Sequence, residues 1–302
     1  MQPTPSDLAA RHFANFLYRR KARHWHSLWV RWHPDGSVKQ RFHAERIFHP
    51  NEINSSGGGD VQMRVVYHYG DERGTVSEGP TCGPWAITEA EHSRSDGLAH
   101  PSSPDSMTTL MLPGGPSAWC MKQSPSGTPC AVEMFLHHAD ECRASFGVIQ
   151  APDGALQQLS LIREDTRGPW PKDDWSGSDA ARRVSAAELH EALVMAGAPI
   201  DTDGTGSAIT ADLHQSAIEG ARWTECRAAQ IGTADVALLC DRFVVVGPAM
   251  RVAGQAWSTA AAWWPEQHVG NSKMLYTIEA RWDAQGGLDQ VRTAQFQLEL
   301  PA

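Results

Sequence analysis

Glycine-bearing turns set the first constraint on this chain. Short runs of alternating apolar and polar residues are punctuated by Pro34-Asp35-Gly36, Pro113-Gly114-Gly115, Pro125-Ser126-Gly127, Pro152-Asp153-Gly154 and Gln285-Gly286-Gly287. Proline presets the first turn dihedral and glycine supplies positive φ, so each triplet reverses a strand with little strain. Many short strands separated by such turns predict a mainly β protein, two tandem antiparallel β-barrels of which the second is smaller. The 302 residues suffice for two domains of ordinary size, and 41% hydrophobic residues suffice for a real core.

Periodicity divides the chain as follows. Residues 1–23 read as an N-terminal helix with Ser6 or Asp7 as N-cap, Leu8, Phe13, Phe16 and Leu17 on one side, and a basic C-terminal end. Such a helix can cover the open end of a barrel or act as a peripheral strut. Residues 24–168 read as the first barrel, of roughly nine strands. Its clearest strand carries Val61, Met63, Val65, Tyr67 and Tyr69 at every second position. Residues 169–206 read as a linker with a short helix, opened by the capping-box pattern Ser185-Ala186-Ala187-Glu188 and stopped at Gly197. Residues 207–302 read as the second barrel, ending in a hairpin of Leu275–Trp282 with Leu288–Leu300.

A net charge of -9 disfavours a nucleic-acid partner, since neutralising phosphates needs a basic face. No apolar run approaches the ~18 residues of a transmembrane helix, and the first residues lack a signal-type apolar segment, so the expected compartment is the cytosol. Six cysteines without a CxxC pair read as free thiols. There is no GxSxG elbow, P-loop, HExxH or GxGxxG motif, and no catalytic residue or cofactor is assigned.

Two residue types stand out. Eleven of the fourteen histidines precede residue 140. His24 and His26 share a strand face, but a metal between them needs a third donor from a neighbouring strand. The Pro34-Asp35-Gly36 hairpin pairs His26 near Glu45 and does not by itself assemble three ligands, so no metal site is expected. The second type is tryptophan, with twelve copies, among them Trp25, Trp29 and Trp32 in one strand and the doublet Trp263-Trp264. An aromatic wall for a polycyclic ligand is one use of these residues and filling a wide barrel is the other. Arg163 continues the phase of Leu159 and Leu161, so it is expected to point inward, where a guanidinium can clamp a carboxylate. A salt bridge at the rim is its alternative role. Trp29, Tyr67, Tyr69, Phe146 and Arg163 form the expected ligand-binding set.

The segments His24-Trp25-His26-Ser27-Leu28-Trp29, His100-Pro101-Ser102-Ser103-Pro104 with Met107, Leu112-Pro113-Gly114-Gly115, and Leu161-Ile162-Arg163-Glu164-Asp165-Thr166-Arg167-Gly168 carry a resemblance. Over most of residues 8–175 the chain resembles an uncharacterised lipocalin-like (calycin) double-barrel family of cyanobacteria and photosynthetic eukaryotes. The resemblance implies a fold similar to lipocalins and to bilin-attaching lyases, and it carries no activity. Three functions follow as expectations. The first is a binding protein for a small apolar or carboxylated ligand (lipid, isoprenoid or tetrapyrrole-like). The second is a barrel enzyme of isomerase, cyclase or chromophore-lyase type, and the third is an assembly factor with a filled interior. The sequence assigns no oligomeric state.

Overall fold

A computed structural model describes residues 3–20, 23–50, 61–70, 76–168, 180–266, 269 and 271–300, without the side chains of residues 18–20, 50, 69, 70 and 76–78. The chain is mainly β and forms two large antiparallel sheets.

The first sheet has eleven strands. In spatial order they are β4 (Val76–Ile87), β3 (Val61–Gly70), β2 (Val38–Pro50), β1 (His24–Trp32), β11 (Leu156–Asp165), β10 (Cys142–Gln150), β9 (Cys130–Ala139), β8 (Ser117–Met121), β7 (Met107–Met111), β6 (Gly97–Ala99) and β5 (Ser93–Arg94). A twisted sheet of this width curls. Residues of β1–β4 and β7–β11 accordingly line one common cavity. The expected closed barrel is not what forms, because among the described residues the ladder stays open between β4 and β5. The short helix α2 (Glu89–His92), capped by the Thr88 hydroxyl, joins these two edge strands directly.

Helix α1 (Pro5–Arg20) seals one end of the curl. Its cap differs from the expected one: the Thr4 hydroxyl accepts from the Asp7 amide and the Asp7 carboxylate accepts from the Thr4 amide, which satisfies two orphan donors reciprocally. Phe13 and Phe16 enter an apolar cluster with Trp25, Phe48, Met111 and Phe135. The Met111 amide donates to His12 Nε2 over 2.8 Å, tying the helix to β7.

The second sheet runs β12 (Arg182–Arg183), β15 (Asp235–Cys240), β16 (Phe243–Pro248), β17 (Trp257–Trp263), β18 (Ser272–Trp282), β19 (Leu288–Glu299), β13 (Gly204–Thr210) and β14 (Gln215–Ala221). Among the described residues it too is an open ladder, with β12 and β14 at its edges. Its hairpin of β18 with β19 and the Ser185–Glu188 capping box of α3 (Ala186–Met195) form as the sequence predicts. One face of it carries an apolar cluster of Leu189 and Leu193 of α3 with Trp223, Trp264, Leu275 and Phe296.

The convex face of the first sheet lies against the second sheet and makes the largest apolar cluster, including Trp32, Phe146, Leu161, Phe243, Trp263 and Trp282. Strand parity splits the Trp263-Trp264 doublet between this shared core and the second sheet's own interior. Polar ties cross the same boundary. Trp282 Nε1 donates to the Met121 carbonyl, and the Arg251 guanidinium donates to the carbonyls of Ser124, Thr128 and Ala151.

Candidate functional site

On β1 the odd residues Trp25, Ser27, Trp29 and Arg31 face the concave side, while Val30 and Trp32 face the shared core. The same alternation on the other strands leaves a cavity of about 440 Å³ inside the first sheet. Small-molecule pockets fall in the same range, roughly 300–1,000 Å³.

Aromatic rings form the walls. Trp29 stacks on Phe42 with centroids 5.2 Å apart and meets Tyr67 edge-on at 6.0 Å. Its indole N–H is satisfied locally, donating over 3.0 Å to Ser27 Oγ, which in turn donates to the Ala44 carbonyl. Trp85 and Trp119 face His100 edge-on at 6.2 and 4.7 Å. The His100 ring accepts at Nδ1 from the Ser102 amide, which places the ring proton on Nε2. Burial lowers the His100 pKa below its ordinary value, so the ring is neutral at pH 7. Burial raises the Tyr67 pKa, and the phenol keeps its proton.

A buried ionic layer lies between the cavity and α1. Arg46 donates to Glu133 Oε1 at 2.9 Å and lies 3.8 Å from Glu164 Oε1. Arg143, fully buried, donates from Nε to Glu164 Oε2 at 2.6 Å, with its guanidinium carbon 4.1 Å from the Trp25 ring centre. Burial opposes the Arg46 charge, but Glu133 and Glu164 outweigh it and hold that pKa above its usual value. Two cations and two anions leave this layer neutral. An ion pair buried this deeply is stable only when its members stay together.

Arg31 differs. It lines the cavity at the end away from α1, its guanidinium carbon 4.7 Å from the Phe42 ring centre and 5.5 Å from that of Trp29. Nη1 donates to Gln40 Oε1 at 3.0 Å, while the buried Nε has no hydrogen-bond partner. No acidic side chain pairs with Arg31 among the described residues. At the same end Lys39 Nζ donates to Gln158 Oε1 over 3.1 Å.

Of the five residues expected to form the site, Trp29 and Tyr67 line the cavity. Tyr69 belongs to β3, but its side chain lies outside the described residues. Phe146 and Arg163 lie on the opposite face and are corrections to the sequence reading. Phe146 packs 6.1 Å from Phe243 in the shared core. Arg163 is 2% exposed, its guanidinium carbon 5.4 Å from the Phe243 ring centre and Nη2 3.7 Å from Cys240 Sγ. The inward residue of that pair is Glu164. Arg46, Glu133 and Arg31 carry no motif in the sequence, and His100 enters the sequence reading only through the His100–Pro104 motif of the resemblance. For Arg31, the signal was its shared parity with Trp29.

The family model for the N-terminal part of DUF3598, a domain of unknown function, matches residues 9–169. Among solved structures, the chain is similar to a protein of unknown function from the DUF3598 family of Nostoc punctiforme. That likeness has 12% identity, covers 99% of this chain and 100% of the other, and has a TM-score of 0.53. An S-type phycobiliprotein lyase from Guillardia theta matches more loosely, with 12% identity over 56% of this chain and 100% of its own, at a TM-score of 0.32. No functionally curated protein matches the sequence.

Proposed function

The chain belongs to the DUF3598 family, and we propose that residues 24–168 act as a calycin-like half-barrel that binds one small apolar molecule with an anionic end. Residues 207–302 then act as a packed support. The observation carrying this reading is Arg31, a cavity-lining guanidinium beside an aromatic wall with no acidic partner among the described residues. A carboxylate there gains charge-assisted hydrogen bonds, while the ligand's apolar body lies against Trp29, Tyr67, Trp85 and Trp119. A long-chain fatty acid, an isoprenoid acid or an open-chain tetrapyrrole has that chemistry. Six free cysteines and the absence of a helix long and apolar enough to cross a membrane among the described residues fit a binding protein of the cytosol.

Titration with a fluorescent polyene fatty acid and with its alcohol tests the assignment. Arg31→Met should weaken the acid about 10- to 100-fold, the worth of a hydrogen bond to a charged group, and leave the alcohol unchanged. Trp29→Ala should weaken both, and Arg163→Met neither. Equal acid affinity in wild type and Arg31→Met would remove Arg31 from the site.

A further inference from the structure

The convex face of the first sheet, across the strands from the cavity, carries a second cluster that the ligand reading does not use. His24 and His26 are i and i+2 on β1, so both project to the same side. Their rings stack with centroids 4.3 Å apart. The antiparallel register sets Glu45 of β2 directly opposite His26. Glu45 Oε2 lies 2.6 Å from His24 Nε2, and one donor atom from each of His24, His26 and Glu45 lies within 4.8 Å of the other two. From β3, His68 Nε2 reaches the other oxygen, Oε1, at 2.8 Å.

We infer that His24, His26 and Glu45 form a binding site for a divalent transition-metal ion, with His68 orienting the Glu45 carboxylate. Two imidazoles and one carboxylate are a donor set that suits zinc and leaves a fourth position open to water or substrate. Hard cations such as magnesium prefer all-oxygen shells and should be refused. The setting fits an exchangeable ion: His24 is 45% exposed, Glu45 22% and His68 16%. Two adjacent strands carry the donors and a third holds His68 against Glu45, so the site needs no loop to fold over it. The hairpin pairing expected from the sequence is correct, with His26 opposite Glu45. What it leaves out is that the His24 ring reaches across to the same carboxylate.

The test is cobalt(II) titration of the full-length chain, without a polyhistidine tag, followed by visible absorption and by zinc competition. One equivalent of cobalt should give the intense visible bands of a four-coordinate site, and zinc should abolish them. His68→Ala should weaken binding about 10- to 100-fold, as removal of a ligand-orienting partner does, and His24→Ala or Glu45→Gln should weaken it more. His214→Ala, at the exposed pair with Asp212, should change nothing. Because His24 is exposed, His24→Ala is expected to fold, with circular dichroism as the check. Absence of the bands in wild type, equal binding of magnesium, or wild-type affinity in both His24→Ala and Glu45→Gln would overturn the proposal.

Discussion

His100 shows how burial at a single residue becomes a pH dependence. Its ring sits among Trp85 and Trp119 with Nδ1 committed to the Ser102 amide, and burial lowers its pKa in the folded state. As pH falls, the unfolded chain therefore takes the proton first, near the ordinary value of about 6.5. The stability that neutral His100 contributes is complete above that pH and is lost as pH falls through it towards the lower folded value. Urea midpoints measured from about pH 7.5 down to about pH 5 should drop in wild type and drop less in His100→Gln. The Arg143–Glu164 pair next to the cavity has the opposite character. Arginine does not give up its proton in proteins, so Arg143 stays a cation beside Glu164 under burial that keeps His100 neutral.

Elements form where local chemistry permits one solution. Gly97, which opens β6, has φ of +115°, and a Cβ there would come within 2.3 Å of Thr108 Oγ1 and 2.7 Å of the Thr109 carbonyl. Gly97→Ala should therefore destabilise the fold by more than about 1 kcal/mol, seen as a lower urea midpoint with an unchanged slope. Features of this local kind were legible in the sequence. The turn glycines at 36, 114, 115, 127, 154 and 286 all take positive φ, β3 buries Val61, Met63 and Val65 at alternate positions, and Ser185 and Glu188 cap α3 reciprocally. What alternation could not tell was which side of a strand faces the cavity. Period two identifies an inside when one face is buried and the other is wet. Here both faces of β11 are buried, so Leu159, Leu161 and Arg163 read as lumen residues and belong to the shared core instead. The same double burial put Phe146 on the wrong side and left Arg31 unnoticed beside Trp29.

For the whole molecule, the boundary between the two sheets matters more than either sheet's edges. Arg251 reaches from the second half to three backbone carbonyls of the first, at 2.6 to 3.1 Å. Arg251→Met leaves those acceptors without their donor and should cost about 2–3 kcal/mol. Intrinsic fluorescence and far-ultraviolet circular dichroism should report one coincident unfolding transition in wild type, since both halves share one apolar core. The strand order carries a further consequence, for the timing of folding. β1 is an interior strand of its sheet, between β2 and β11, with His26 opposite Asp165. During synthesis the hairpin of β1 and β2 emerges early, but its other edge waits until Asp165 has left the ribosome, and the convex face waits longer still for the second sheet. Pairings so distant in sequence are slow to form, and an unpaired apolar strand is open to wrong partners in the interval. The nascent chain is therefore most in need of a chaperone between completion of its first hairpin and arrival of β11.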